Sequence, residues 1–304
     1  MIDNPFIENS EIALQSVIPK KRLIDEYQSR FNIDVNGILG SVDSVELYKC
    51  KKSGYKFYYP FNITGDSQFY QKLQQLDYYY MPWKWEHQVC SGLIKEGDKV
   101  LEVGCGTGDF IRTICKKNQD IQVVGLELNE SCVVAERNYK IINKTIEDFS
   151  ADNVGQFDLV CTFQVLEHIA FVNSFLKAQI KCVKKDGLLV ISVPNNGGFL
   201  KNEKFEVLNM PPHHMGLWDE ESLRMIGSHF NLELIKVEFE PLQEYHFDWY
   251  LDLMVKKMVG DYIGSYFVKV INFVRLRFLI KKIIKSRAHK IQGHSILIVL
   301  KKNN

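Results

Sequence analysis

The segment 100–110 (VLEVGCGTGDF) constrains the fold more than any other part of this 304-residue chain. Its apolar start, which favours a strand, is followed by glycines at positions 104, 106 and 108 and by an amphipathic stretch that reaches Lys117. This order predicts a strand, a tight loop and a helix, an arrangement that brings backbone N–H groups close to a bound ligand. A dinucleotide fingerprint would have its third glycine at position 109, where this chain has Asp109, so the spacing argues against a nicotinamide cofactor.

From residue 98 onward, the chain alternates between short apolar segments and amphipathic ones. Such alternation is typical of a parallel sheet with helices on both faces, and the fold class is therefore predicted to be α/β. Ligands of these sheets bind beyond the carboxyl ends of the strands, so the functional site is expected there. Strands are predicted at residues 99–103, 121–127, 141–143, 157–162, 187–193, 230–240 and 295–301. Helices are predicted at residues 108–118, 130–139, 165–183 and 219–229.

The segments on either side of this core predict two additions. Before it, the patterns indicate one or two helices in residues 10–31 broken near Pro19, a hairpin formed by residues 45–50 and 55–59, and a helix at 67–77. After it, residues 248–290 are largely helical in pattern and precede the last strand. The predicted division is an N-terminal helical and hairpin appendage (1–66), a ligand-binding core (67–240), and a helical insertion or lid followed by the last core strand (241–304).

The composition favours a cytoplasmic protein. The formal charge of +1 gives no electrostatic case for nucleic acid or for acidic partners. The N-terminus shows no secretory signal, and no apolar run approaches the roughly 18 residues that span a bilayer. The seven cysteines show no spacing typical of disulfides. Cys50 has Ser53 at the matching C-x-x-C position, so a tetrahedral zinc site cannot form there, and no metal is expected.

Two features beyond the glycine loop carry predicted chemistry. Glu127 ends the second core strand about 20 residues after the loop, where a carboxylate can accept hydrogen bonds from both ribose hydroxyls of an adenosyl ligand. His213 and His214 follow two prolines in a long loop, and a neutral imidazole there can remove a proton from a hydroxyl close to neutral pH. Alternatively, the two histidines only fix a surface loop.

Five segments together resemble the class I S-adenosylmethionine (SAM) methyltransferases: residues 101–108, Glu127, residues 164–168 (QVLEH), residues 192–195 (SVPN) and residues 211–218 (PPHHMGLW). The QVLEH segment is similar to the signature of ubiquinone-biosynthesis-like and related small-molecule methyltransferases. The wider pattern is similar to bacterial methyltransferases of polysaccharide and metabolite biosynthesis. The resemblance implies a Rossmann-like, mostly parallel sheet of seven strands, SAM as the cofactor and S-adenosylhomocysteine (SAH) as its product.

The resemblance also implies the reaction and its residues. Methyl transfer would be an in-line SN2 displacement, in which the protein aligns donor and acceptor and excludes water. One imidazole, that of His168, His213 or His214, would take the proton of the acceptor. The implied cofactor-binding residues are Glu102, Gly104, Cys105, Gly106, Gly108, Glu127, Leu128, Ile146, Glu147, Phe163 and Gln164.

The acceptor is expected to be a small molecule. By analogy, the first expectation is a hydroxyl of a sugar, a polysaccharide precursor or a related metabolite, with a lipid-linked acceptor as a further option. Tyr79, Tyr80 and Trp85 belong to an aromatic segment that either walls the pocket or caps the sheet edge. Tyr245 and His246 are further substrate-binding candidates. The alternative function is that of a SAM-binding or regulatory protein without transferase activity.

Residues 262–288 combine a broad apolar stripe with flanking lysines and arginines. Three interpretations stay open: a helix packed over the sheet or pocket, an interfacial helix on the inner face of an anionic membrane, or a homodimer contact. No nucleic-acid partner is expected, because the chain lacks an Asn/Asp-Pro-Pro-Tyr/Phe motif after the fourth core strand.

Overall fold

A computed structural model describes residues 2–76, 81–203, 205–260 and 276–303. The strands are β1 (Ile12–Pro19), β2 (Ser44–Cys50), β3 (Lys56–Tyr59), β4 (Lys99–Val103), β5 (Gln122–Leu126), β6 (Val134–Ala135), β7 (Tyr139–Ile142), β8 (Phe157–Phe163), β9 (Val183–Pro194), β10 (Gly216–Leu217), β11 (Glu233–Pro241) and β12 (Gln292–Lys301). The α-helices are α1 (Lys20–Phe31), α2 (Asn36–Leu39), α3 (Ser67–Leu73), α4 (Trp85–Ser91), α5 (Asp109–Lys117), α6 (Ile146–Asp152), α7 (Val172–Cys182), α8 (Glu220–Phe230), α9 (Phe247–Val259) and α10 (Leu276–Arg287).

β4 lies inside the main sheet, whose strand order is β11-β12-β9-β8-β4-β5-β7-β6. β4 pairs in parallel with β5 and β8, and parallel pairing continues outward to β7 and β9. β12 runs antiparallel to β9 and β11, and β6 antiparallel to β7. The mostly parallel α/β fold is thereby confirmed. The sheet has eight strands instead of seven, because the two-residue strand β6 extends its edge.

The sheet separates two apolar clusters because successive side chains of a strand point to opposite faces. Leu101 and Val160 belong to one cluster, which also holds the buried apolar residues of α7 and α8. Val100 and Leu159 belong to the other, which holds the buried residues of α5. Chain direction diverges on the two sides of β4, towards β5 on one side and β8 on the other. This is a topological switch point, and its carboxyl edge is where such sheets bind ligands.

Two helix predictions are wrong. Residues 12–19 form strand β1, antiparallel to β2, and a helix begins only at Lys20 after Pro19. Residues 130–139 form a 3₁₀ turn (Glu130–Cys132), strand β6 and the first residue of β7. In both segments β-branched residues find a neighbouring strand to pair with, and this non-local pairing overrides the apolar spacing that favoured a helix.

The N-terminal sheet has the order β1-β2-β3-β10 and contains a strand from the long loop that follows β9. β10 pairs antiparallel with β3, and the backbone N–H of Tyr58 donates to the carbonyl of Met215 at 2.9 Å. The hydroxyl of Tyr58 also donates to the carbonyl of Asn209 at 3.3 Å. The hairpin therefore holds the loop that carries His213 and His214. The domain division at residue 66 stays a prediction.

The helical insertion lies between β11 and β12, as expected. Asp248 of α9 accepts ion-pair contacts from Arg277 at 2.6 Å and from Lys281 at 3.0 Å, which tie α10 to α9. Much of the stripe proposed for residues 262–288 lies outside the described residues, and α10 is the part that can be discussed. Among the described helices, none is both long and apolar enough to cross a bilayer.

Candidate active site

The glycine loop between β4 and α5 has a backbone that only glycine adopts comfortably. Gly104 has φ +75°, and a Cβ there would lie 2.5 Å from Cγ2 of Val165. Gly108, the N-cap of α5, has φ +80°, and a Cβ there would meet Cδ1 of Ile141 at 2.5 Å. Side chains are thus excluded on both sides of the loop. A ligand can approach the backbone itself, which is the property that a nucleoside cofactor requires.

Glu127 follows β5, and its carboxylate connects the turn after β5 to the glycine loop. Its Oε2 accepts a hydrogen bond from the N–H of Gly106 at 2.9 Å, and its Oε1 accepts from Leu128 at 2.8 Å and Asn129 at 3.0 Å. A carboxylate offers about four lone-pair sites, so the group keeps capacity for a ligand hydroxyl. Its position beside Gly106 fits the predicted contact with a ribose diol.

Glu102 is buried in β4 just before the loop, with 4 % of its surface exposed. Burial raises its pKa well above the usual range, and the nearby carboxylates of Glu127 and Asp109 raise it further. Its Oε2 is buried without a hydrogen-bond partner. A buried, unpartnered carboxylate oxygen costs free energy unless a donor reaches it. The ammonium group of the SAM methionyl part would supply that donor, so the site fits this cofactor.

The remaining predicted cofactor residues lie around the same edge of the sheet. Ile146 is buried at the start of α6, where Thr145 is the N-cap and its hydroxyl accepts from the N–H of Asp148 at 3.2 Å. Glu147, next to it, is exposed. Buried Cys105 belongs to the loop, whereas the side chain of Leu128 is 64 % exposed. The exposed Leu128 offers a cofactor its backbone more readily than its side chain.

Phe163 ends β8, and Gln164 follows it. The ring of Phe163 packs edge-to-face against Phe110 of α5 and His87 of α4, with centroids 5.1 and 5.0 Å away. Gln164 has φ +54°, a left-handed conformation that is uncommon outside glycine. Such strain at a strand end is a frequent mark of a functional position, and here it aims a side-chain amide over the tips of neighbouring strands.

His168, His213 and His214, the three candidates for the base, lie together in the structure. His168 ends a 3₁₀ turn (Leu166–His168), and its ring centroid lies 4.7 Å from that of His213 and 4.9 Å from that of His214. The rings of His213 and His214 are stacked at 4.3 Å. Neighbouring residues on the chain normally point apart, so the turn after Pro212 brings these two rings to one side.

The Nδ1 atom of each of these histidines faces an oxygen acceptor. The acceptors are the carbonyl of His213 for His168 (2.6 Å), the carbonyl of Leu208 for His213 (2.6 Å) and Oδ1 of Asn209 for His214 (2.9 Å). These contacts favour the neutral tautomer with the proton on Nδ1, which makes Nε2 the basic atom. Burial lowers the pKa of His168 to about 4 and the pKa values of His213 and His214 well below their usual range.

One ring nitrogen from each of the three histidines lies within 4.8 Å of the other two, which makes them the candidate metal ligands among the described residues. A buried carboxyl group, that of Glu167, lies beside the cluster. Glu167 is 1 % exposed, and burial raises its pKa to about 8. Its Oε1 lies 3.9 Å from Nε2 of His168. Neutral imidazoles beside a carboxyl group form an arrangement suited to proton transfer.

The predicted substrate-binding residues divide into three groups. Tyr79 and Tyr80 lie outside the described residues. Trp85 opens α4 and packs partly buried against the cluster under α5. The half-exposed Tyr245 donates its hydroxyl to Glu240 at 3.3 Å, and the ring of His246 lies 5.1 Å from that of His294. The last two face the ends of β11 and β12.

The sequence reading missed several polar residues at this edge of the sheet. Glu86 of α4 accepts a hydrogen bond from Nε2 of Gln164 at 3.3 Å, and Glu240 ends β11. His294 and the partly buried Lys84 complete the group. A charged residue directly after apolar ones, as in WKWEH and VEFEP, was the available signal. This sequence pattern alone does not distinguish a buried acid from an exposed one.

Comparisons with known proteins point to one chemistry. The sequence pattern of a family described as methyltransferase domain matches residues 78–237, slightly more than half of the chain. The chain is 28% identical over 150 residues to a ubiquinone biosynthesis O-methyltransferase of Vibrio campbellii, covering 46% of this chain and 58% of that protein. It is 30% identical over 112 residues to a protein of the same name from Escherichia coli, covering 34% and 45% respectively. The chain spans about half the length of the curated relatives it matches.

Among solved structures, a SAM-dependent methyltransferase from Archaeoglobus fulgidus is similar at 19% identity with a TM-score of 0.47, covering 71% of this chain and 94% of that one.

Proposed function

The chain belongs to the methyltransferase domain family, and from that membership we propose that it transfers a methyl group from SAM to a hydroxyl group of a small-molecule acceptor. The observation that carries the proposal is the pairing of two features at one sheet edge. The first is a glycine loop with a buried, unpartnered Glu102 oxygen beside it. The second is a cluster of three neutral histidines, of which His213 and His214 are buried.

The protein residues have a limited task in this reaction. SAM supplies a methyl group already activated by its sulfonium, so no further activation of the donor is needed. Glu102 would hold the methionyl ammonium, and Glu127 would hold the ribose hydroxyls while it fixes the turn of Gly106. The aromatic rings of Phe163 and Phe110 exclude water from the end of β8. Positioning and dehydration are the main contributions of such a site.

His214 is the imidazole that we propose as general base. Its Nδ1 contacts Asn209, whose amide in turn donates to Oδ1 of Asn196 at 2.6 Å, so two side chains fix the ring and its tautomer. The ring of His213, in contrast, packs against Phe69 and Tyr70 of α3. As the acceptor oxygen attacks the methyl carbon, its proton would pass to Nε2 of His214.

The acceptor is proposed to be hydroxylated and polar, of the class of a sugar, a polysaccharide precursor or a related metabolite. Support comes from the polar side chains of Gln164, Ser192 and Ser295, which lie together over the strand tips. Such side chains suit a ligand with several hydroxyl groups. The curated relatives named above are called O-methyltransferases, which agrees with oxygen as the methylated atom.

The experiment is a transfer assay with SAM labelled in its methyl group, a panel of sugars and sugar nucleotides, and SAH release as the readout. We expect His214→Asn to lower kcat at least 100-fold with the Kd for SAH changed less than 3-fold, because base catalysis contributes about 10²–10⁴. His229→Asn, remote from the site, is the matched control. Full turnover by His214→Asn would refute the base assignment, and SAH binding without any transfer would favour a binding protein.

We propose that the protein works in the cytoplasm and touches an anionic membrane through the outer face of α10. Phe278, Leu279 and Ile283 are each more than half exposed there, and Lys282 and Arg287 are exposed beside them. Apolar side chains edged by cations favour an anionic lipid surface. Co-sedimentation with vesicles of phosphatidylglycerol, compared with phosphatidylcholine, tests this contact. Failure of Ile283→Ser to weaken binding would instead support packing or a homodimer contact.

A further inference from the structure

Three glutamates at the acceptor side of the site are almost completely buried. Glu86 and Glu167 are each 1% exposed, and Glu240 is 2% exposed. They come from three separate parts of the fold: the first turn of α4, the turn after β8 and the end of β11. Glutamate is rarely buried without a partner, so their convergence demands a physical reason.

A chain of hydrogen bonds connects two of them across the strand tips. Nε2 of Gln164 lies 3.3 Å from Oε1 of Glu86 and 3.4 Å from Oγ of Ser295. The N–H of Ser295 donates to Oε2 of Glu240 at 3.0 Å. The strained backbone of Gln164 therefore serves an ordered polar array, and its amide spans Glu86 and the end of β12.

Two oxygens of the array have no partner. Oε2 of Glu86 and Oε2 of Glu167 are both buried without a hydrogen bond. The other carboxyl oxygen of each side chain faces a residue of this site: Oε1 of Glu86 faces Gln164, and Oε1 of Glu167 faces His168. Unsatisfied acceptors this deeply buried indicate that a donor from a ligand completes the set.

Burial disfavours the charged form of all three carboxyl groups. Burial raises the pKa of all three carboxyl groups, to about 8 for Glu167 and about 7 for Glu240, and Glu86 raises the pKa of both. Lys84 is the cation that acts on Glu86 and Glu167. The neutral carboxyl groups are therefore favoured until a further cation reaches them. A ligand hydroxyl would satisfy the free oxygens, but an ammonium group would satisfy them and also favour the ionised carboxylates, with which it forms stronger hydrogen bonds.

We propose that Glu86, Glu167 and Glu240 form an acceptor subsite that binds a protonated amine, so that the acceptor is a hydroxylated amine of the amino-sugar class. This inference rests on the proposed function and adds the identity of the group that anchors the acceptor. The ammonium lies among the carboxylates while a neighbouring hydroxyl faces His214. No methyl transfer to the amine is involved, because a protonated nitrogen has no lone pair with which to attack.

The test is calorimetric titration of the SAH-saturated protein at pH 6.5 with glucosamine and with its neutral counterparts glucose and N-acetylglucosamine. We expect glucosamine to bind at least 10-fold more tightly than either neutral sugar. Glu86→Gln and Glu167→Gln should each reduce this preference to less than 3-fold while the Kd for SAH stays within 3-fold of the wild type. Glu96→Gln, on an exposed loop, should keep the preference.

Equal binding of the three sugars by the wild type, or no binding of any, would overturn the inference without recourse to a variant. A preference retained in both glutamine variants would overturn it as well. A large loss of SAH affinity in Glu86→Gln would assign the carboxylates to the cofactor instead. SAH binding and methyl transfer are measured separately from sugar binding. A failure of the amine subsite can therefore be told apart from a failure of the proposed function.

Discussion

Glu127 offers the sharpest test of how the cofactor loop is held. In Glu127→Gln, the amide can keep one carbonyl oxygen as an acceptor, for Leu128 and Asn129 or for Gly106, but not for both sets. In one orientation, the NH₂ group faces the N–H of Gly106, which loses its acceptor at 2.9 Å. In the other, it faces the N–H groups of Leu128 and Asn129, which lose their acceptor at 2.8 and 3.0 Å. A hydrogen bond to a charged group contributes about 1.5–3 kcal/mol.

The loop is partly exposed, and water can replace part of this contribution. We therefore expect Glu127→Gln to lower the free energy of unfolding by about 1–2 kcal/mol in urea denaturation. Affinity for SAH should fall about 10-fold or more, since the ribose contact weakens with the loop. The control is Glu130→Gln, an exposed acid on the following 3₁₀ turn, which should change neither quantity. Unchanged stability together with unchanged SAH affinity in Glu127→Gln would refute the reasoning.

Three further outcomes are expected. Gly104→Ala should lower the free energy of unfolding by about 2–4 kcal/mol in urea denaturation, because of backbone strain and the contact with Val165 at 2.5 Å. Gly155→Ala, at a position with positive φ and open space, should show only the part that comes from backbone strain. Equal losses of stability in the two variants would count against the steric argument. Because the pKa of Glu167 is raised to about 8, its neutral form stabilises the fold fully below about pH 4.5 and progressively less up to pH 8. The free energy of unfolding of the wild type should therefore decline over that range, and Glu167→Gln should flatten the decline. An unchanged slope in the variant would contradict this assignment. Dialysis against EDTA should leave methyl transfer intact, because a sulfonium donor needs no Lewis acid; loss restored by a divalent ion would instead make His168, His213 and His214 metal ligands.

The predictable part of the fold is the part with local signals. The segment 99–117 contains its strand, its glycines and its helix in sequence, and the structure reproduces that order. The helix predicted at 219–229 also has a local signal, since Asp219 is the N-cap of α8 and accepts from the N–H of Ser222 at 2.9 Å. Residues 12–19 failed for the opposite reason, since their strand depends on pairing with β2 more than twenty residues away.

The same distinction applies to the site. The predicted histidines meet, because two of them are neighbours and the third follows a recognisable strand end. Glu86 and Glu240 could not be found in this way. They are more than 150 residues apart and become one feature only when Gln164 and Ser295 join them. Burial of a charged residue is a property of the tertiary structure, and a single sequence gives little sign of it.

The measurement that tests the central claim most directly is calorimetric titration of the wild-type protein with SAM, SAH and NAD. The account predicts micromolar binding of SAM and SAH, loss of that binding in Glu127→Ala, and no binding of NAD. Binding of NAD in their place, or SAM affinity that survives Glu127→Ala unchanged, would contradict it.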